Sequence, residues 1–329
     1  MSILSKINNP SDMKSLNLDE LEILCDEIAD LIKDTIGKHG GHYSSPLGVI
    51  ETTVALHYVY NTPDDKLIWD VGHQAYPHKI LTERKNQFKT IRQKDGLSGF
   101  LKISESKYDA FGAGHSSTSI SAALGFAHAR DKDKSNNQIV AIIGDGAMTG
   151  GMAYEGINNL GYHKTQMTVV LNDNSLSISK SVGALSKYLT LITTNKTYNK
   201  IRRKIWQISG IIPLFSRFIR YFIKQTEKAI KGSLTPGSLF EDLGLRYIGP
   251  IDGHNLKDLI RAFKSVKEMN TPVLLHVYTK KGKRISVSDS DSIKYYSLAG
   301  SKKIKNDNLP ADYSKVFGQS LKKFSKDYN

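Results

Sequence analysis

The chain has 329 residues, 39 % apolar and 24 % charged, with a formal net charge of +14. That composition supports one large folded domain or two ordinary ones and argues against an intrinsically disordered chain. A single cysteine, Cys25, excludes an internal disulfide and a multi-cysteine zinc centre, and no run approaches the roughly 18 continuous apolar residues of a membrane span.

Residues 1–17 carry neither an apolar signal core nor an Arg-rich amphipathic stretch, so a cytoplasmic location is expected. A helix is predicted over 18–36, because Leu21, Leu24, Ile28, Leu31 and Ile32 recur at helical spacing with acids on the other face. Cys25 falls within this periodicity and reads as a small core residue. Asn17 can cap the helix, with Glu20 three positions on as its capping-box partner. A glycine-rich turn over 37–42 leads to a second helix over 46–60, with Pro46 near its first turn. Short Val- and Ile-rich runs at 66–70, 139–143, 167–171 and 273–278 suit buried parallel strands, and helical stretches such as 118–130 and 148–159 separate them. The alternation predicts an α/β fold, a mostly parallel sheet with helices on both faces.

The positive charge is concentrated. Between residues 187 and 232 lie eleven Lys or Arg and one acid, Glu227, mixed with Trp206, Phe215, Phe218, Tyr221 and Phe222. The stretch 187–234 reads as a mobile basic excursion whose aromatics cover part of an active site. The rival reading is an RNA- or lipid-binding element, whose binding would weaken steeply with salt and be indifferent to Asp145.

The strongest local signal is Gly144-Asp145-Gly146-Ala147 at the end of one expected strand, followed by Asn172-Asp173-Asn174 at the end of the next. Both fall at the carboxyl edge of the sheet, where open α/β folds bind ligands. Magnesium takes about six hard oxygen ligands and often shares them with a diphosphate. Asp145, Asn174 and the main-chain carbonyl of Leu176 would supply about half of that shell. Gly144 and Gly146 allow close approach of the backbone to phosphate, and the helix opening near Met148 presents free N–H groups.

This pair of motifs resembles the thiamine-diphosphate signature. The stretches 40–45, 70–81, 95–100, 108–112, 114–125 and 247–254 further resemble the 1-deoxy-D-xylulose-5-phosphate synthase family, in the family's order and over almost the whole chain. A split transketolase-type subunit acting on other sugars would share the architecture and the metal motif, but not the runs 70–81 and 108–125.

The resemblance implies a thiamine-diphosphate-binding, transketolase-like fold and dependence on thiamine diphosphate and Mg²⁺. It implies condensation of pyruvate with glyceraldehyde 3-phosphate, with loss of carbon dioxide, to 1-deoxy-D-xylulose 5-phosphate, a precursor of isoprenoids, thiamine and pyridoxal. It also implies a homodimer, with no nucleic-acid partner. By the same resemblance His73, Gly114, His115 and Ser116 contact the cofactor, and Gly146 and Ala147 approach its diphosphate through the backbone. His42 and His254 face the reacting substrate as proton shuttles. Leu245 stands where the family often carries an aromatic residue against the cofactor. His57, His128 and His163 lack such settings and read as structural.

The sequence departs from the family pattern at Glu83, where Gly is usual, and at Gly150, where Ala is usual. Leu101, Ile103 and Leu176 replace Pro, Arg and Met, and Arg284-Ile285 replaces a commoner Gly-Tyr. The resemblance divides the chain into a diphosphate-binding domain over 1–310 and the start of a pyrimidine-binding domain over 311–329. An activating glutamate and the aldehyde's phosphate site are expected beyond residue 329, so this chain alone is expected to be inactive.

Overall fold

The computed structural model describes residues 2–174, 183–194, 237–285, 295–300 and 312–327. The first long helix, α1 (Leu18–His39), starts at the expected capping box: the Glu20 N–H donates to Asn17 Oδ1 at 3.0 Å and the Asn17 N–H to Glu20 Oε2 at 2.9 Å. It ends at Gly40, whose φ of 81° is left-handed, and a Cβ there would lie 2.8 Å from the Ala299 carbonyl carbon. Cys25 is buried, as its place in the periodicity predicts.

The second expected helix is divided. A helical turn at Ser44–Gly48 stops at Val49, and α2 (Ile50–Val59) follows. Gly48 packs against the backbone of Lys280 and Lys281, where a Cβ would meet Lys280 O at 3.2 Å. The single helix expected over 46–60 is thus divided at Val49, beside this contact.

The sheet has five parallel strands: β1 (Lys66–Trp69), β2 (Ile139–Gly144), β3 (Thr168–Asp173), β4 (Arg246–Asp252) and β5 (Val273–Tyr278), in spatial order β1-β2-β3-β5-β4. Four of them lie where the Val- and Ile-rich runs predict. The unforeseen strand is β4, which contains Gly249-Pro250 and a register shift between Ile248 and Ile251. A sheet tolerates proline at an edge, which is where β4 lies.

Alternate strand residues serve two layers of helix. Leu67, Trp69, Val140, Ile142, Val170 and Leu275 pack with α1, α2 and the later helix Leu256–Lys267. Ile68, Ala141, Ile143, Val169, Leu171 and Leu274 pack on the other face, against α3 (Ser119–Lys132), α4 (Gly151–His163) and α5 (Ala184–Thr194). The helix Leu256–Lys267 is α6, and α7 is Tyr313–Asp327, every residue of which is exposed. The period-two pattern, apolar in both directions, is what covers both faces of a parallel sheet.

Two of the departures have local causes. Glu83 adopts φ 66° and ψ 2°, a left-handed conformation that glycine takes without strain, and its carboxylate accepts from Tyr108 OH and pairs with Lys107. A Cβ at Gly150 would lie 2.2 Å from Ser117 Oγ, which donates to the Ala147 carbonyl at 2.7 Å. Glycine at 150 and this Ser117 rotamer therefore go together. Of the basic excursion, residues 195–234 lie outside the described residues, as does Leu176.

Candidate active site

The carboxyl ends of β1, β2, β3 and β5 converge on one cavity of about 460 Å³. Its wall includes His73, Gly114, His115, Ser116, Asp145, Gly146, Ala147, Asn174 and Lys281.

Asp70, at the end of β1, builds one side. Its two carboxylate oxygens accept from the backbone N–H groups of Ser117 at 2.8 Å and Ser119 at 3.0 Å. A side chain from another element thus caps α3, whose own N-cap residue Thr118 makes no side-chain cap. The capped turn carries Gly114, His115 and Ser116 to the cavity, and the Ser117 hydroxyl ties it to Ala147.

The other side is the Asn-Asp-Asn end of β3, whose three residues do different work. Asn172 donates to Gln74 Oε1 at 3.1 Å and accepts from Thr279 Oγ1 at 2.7 Å, knitting three strand ends together. Asp173 pairs with buried His276 at 3.0 Å, and that ring meets Tyr247 OH at 2.7 Å. Asn174 lines the cavity. Gly144 is in register with Asn172, so Asp145 and Asn174 leave neighbouring strands at the same edge.

Among the described residues no group of three or more His, Cys, Asp or Glu side chains could hold a metal by itself. Asp145 with Asn174 is instead a hard oxygen pair, suited to a cation that draws its remaining ligands from phosphate and water. Lys281 adds positive charge to the same cavity. Burial lowers its pKa to about 8, and the Asp145 carboxylate opposes that shift.

His42 is positioned by a short antiparallel pairing of Gly41–His42 with Ser297–Leu298, which brings Tyr296 against it. Its ring centroid lies 5.9 Å from that of His73. Burial, with Arg92 adding to it, lowers the His42 pKa to about 4; burial, with His42 and Lys281, lowers that of His73 to about 3. The Nδ1 atoms of both rings, with Ser45 Oγ and Gln74 Nε2, are buried polar atoms without a protein hydrogen-bond partner. His73, Ser45 and Gln74 line the cavity, so the wall carries polar capacity that a polar ligand would satisfy.

Four expected residues are not part of the cavity wall: His42 stands beside the wall residues His73 and Tyr296, and three others lie elsewhere or outside the described residues. Leu245 is buried in the core beside Phe240 and Tyr247. His254 lies behind the wall, its Nδ1 3.2 Å from Glu51 Oε2 and its Nε2 accepting the Lys280 N–H at 2.8 Å. Leu176 falls outside the described residues. Lys281, Gln74 and Tyr296 line the cavity but were not singled out from the sequence. The position of Lys281 three residues past the end of β5 was the available signal.

Both site histidines titrate near 6.5 when unfolded and only near 4 and 3 when folded. The unfolded chain therefore binds more protons across that window. Their contribution to stability is complete above pH ~6.5 and is lost as pH falls toward 4, by about 1.4 kcal/mol per pH unit for each ring at most. Burial also lowers the pKa of His57 and, against the pull of Asp109, that of His78, which adds to the slope. Denaturant titrations across pH 7 to 5 check this, and His73→Gln should flatten the slope; a profile level from about 6.5 to 5 contradicts it.

Residues 4–279 match the family described as 1-deoxy-D-xylulose-5-phosphate synthase. The chain belongs to that family. Proteins named 1-deoxy-D-xylulose-5-phosphate synthase from Halothermothrix orenii and Chlorobaculum tepidum are 48 % and 47 % identical to it, each over 328 residues. Those alignments take in 98 % and 97 % of this chain but 51 % and 52 % of the relatives. The chain thus spans about half the length of the curated synthases it matches.

Among solved structures, transketolase from Campylobacter jejuni superposes with a TM-score of 0.62 at 19 % identity, covering 86 % of this chain and 41 % of that one. Transketolase from Leishmania mexicana gives 0.60 at 16 % identity, covering 93 % and 45 %. At such identities the likeness concerns the fold, which is the transketolase-like, thiamine-diphosphate-binding α/β fold. Among the described residues, no helix is long and apolar enough to cross a membrane.

Proposed function

We propose that this chain is the diphosphate-binding half of a cytoplasmic, homodimeric transferase that condenses pyruvate with glyceraldehyde 3-phosphate to 1-deoxy-D-xylulose 5-phosphate and carbon dioxide. The observation that carries this reading is the meeting of Asp145, Asn174, Lys281 and the 114–116 turn in one strand-end cavity, in a chain of the synthase family.

In this reading Asp145, Asn174 and the Leu176 carbonyl hold Mg²⁺. Lys281, Gly146, Ala147, Gly114, His115 and Ser116 receive the diphosphate through charge and backbone N–H groups. Thiamine diphosphate, when bound, supplies the electron sink for decarboxylation and carbon–carbon bond formation. His73 donates a hydrogen bond to the cofactor from a neutral ring. His42, also neutral at pH 7, stands beside His73 and Tyr296 at the edge of the cavity, and its Nδ1 atom, which lacks a protein partner, is the nitrogen available to exchange a proton with the substrate.

Residues 1–310 form the diphosphate-binding domain and 311–329 begin a pyrimidine-binding domain. The apolar side chains exposed along α7, Tyr313, Val316, Phe317, Leu321 and Phe324, suit a helix that packs on further chain. Turnover then requires residues of the kind the relatives carry beyond the matched half. Glu51 does not replace a proton-donating glutamate: burial pushes its pKa up, but the His254 hydrogen bond and the Arg284 charge outweigh that and lower it to about 2.

The test is product formation from pyruvate and glyceraldehyde 3-phosphate with Mg²⁺ and thiamine diphosphate, with and without a separately expressed second half. Product only when both halves are present is expected. Product from this chain alone would put the activating carboxylate within these residues, and none in either arm would contradict the proposed reaction.

A further inference from the structure

The loop that carries Lys281 leaves β5 and is tied to the rest of the protein at several points. The Gly282 N–H donates to the Ser44 carbonyl at 3.0 Å, and Gly48 presses on the backbone of Lys280 and Lys281. Arg284 reaches Asp26 on α1 at 2.9 Å and Glu51 on α2 at 2.8 Å, while Lys283 pairs with Glu51 at 3.4 Å.

The remaining tie is a relay that runs from buried Glu51 to the backbone of exposed Lys280. Glu51 Oε2 faces His254 Nδ1 at 3.2 Å, and His254 Nε2 accepts the backbone N–H of Lys280 at 2.8 Å. A backbone N–H can only donate, so Nε2 is the bare nitrogen and Nδ1 carries the proton that Glu51 accepts. One tautomer is specified, and both ring nitrogens are used. A proton shuttle needs a ring nitrogen facing the substrate, and both ring nitrogens of His254 are engaged by Glu51 and the Lys280 backbone. The next residue after its acceptor contact is Lys281, which is part of the cavity wall.

We propose that Glu51 and His254 are positioning residues that hold the 280–284 loop, and through it the Lys281 ammonium, against the diphosphate subsite of the cavity. The inference rests on the proposed function, which places a diphosphate there. It assigns His254 a different task from the shuttling that the family resemblance implies.

A double-mutant cycle on the 329-residue chain tests it, with inorganic pyrophosphate and Mg²⁺ as the probe and calorimetry as the readout. His254→Phe is expected to weaken binding about tenfold, the scale on which supporting contacts act. In a Lys281→Met background the same change should cost less than about twofold, because the group being positioned is gone. Glu51→Gln, which keeps the side-chain shape, should show the same coupling, and a thermal melt of each variant separates it from unfolding. Unchanged affinity in His254→Phe, or equal losses in both backgrounds, would overturn the positioning role. No pyrophosphate binding by the unaltered chain would instead overturn the proposed function, and this inference with it.

Discussion

Asp145→Asn is expected to weaken magnesium-dependent binding of thiamine diphosphate by about 100-fold or more while leaving the unfolding midpoint within a few degrees. Among the described cavity residues the carboxylates are Asp70 and Asp145. Both oxygens of Asp70 are committed to the backbone of Ser117 and Ser119. In the proposed function Asp145 is the carboxylate that meets the cation, and its charge is felt by Lys281. Asparagine keeps the shape and removes the charge, so the loss should appear in Mg²⁺-supported affinity rather than in folding. Calorimetric titrations with and without Mg²⁺ check this; equal affinity for the two proteins would remove the metal-site assignment.

The largest expected effect on stability lies behind the cavity. Asp109 is 1 % exposed and uses both oxygens twice. Oδ1 accepts from Arg84 at 2.7 Å and faces His78 Nε2 at 3.2 Å, while Oδ2 accepts from Arg84 at 2.8 Å and from the Lys102 N–H at 3.0 Å. The His78 ring continues the chain to His57 at 2.9 Å. Asp109→Ala leaves the buried Arg84 guanidinium short of its main partner. Breaking a buried pair from one side costs about 3–5 kcal/mol, because the remaining charge is uncompensated. Equilibrium denaturation should show that loss, and joint replacement of Asp109 and Arg84 by apolar residues should recover part of it. A loss below about 1 kcal/mol would mean the network contributes little.

Much of the fold was legible because its causes are local. The Asn17–Glu20 capping box, the apolar stripe of α1 and four Val- and Ile-rich strands each depend on residues close in sequence. What escaped depends on neighbours distant in sequence. The break at Val49 lies where Lys280 and Lys281 pack on Gly48, and β4 conceals its strand character behind Gly249-Pro250 because only its edge position makes proline acceptable. Glu83 shows why glycine is usual at that place, a reason that lies in φ and cannot be read from residue type.

The site divides in the same way. Gly144-Asp145-Gly146 and Asn172-Asp173-Asn174 announce the strand-end edge, and the register of β2 with β3 brings them together. The separate tasks of Asn172, Asp173 and Asn174 follow from Gln74, Thr279 and His276, which lie about a hundred residues away on other strands or loops. His254 has the glycine-flanked setting of a functional histidine, and only its two ring contacts reveal that it faces Glu51 and Lys280.

The most direct test of the central claim, that this strand-end cavity receives a magnesium-bound diphosphate, is the amide ¹H–¹⁵N spectrum of the chain titrated with thiamine diphosphate in the presence and absence of Mg²⁺. The account predicts Mg²⁺-dependent shifts concentrated at Gly114, His115, Ser116, Gly144, Asp145, Gly146, Asn174 and Lys281. Shifts that leave these residues unmoved, or that are the same without Mg²⁺, would contradict it.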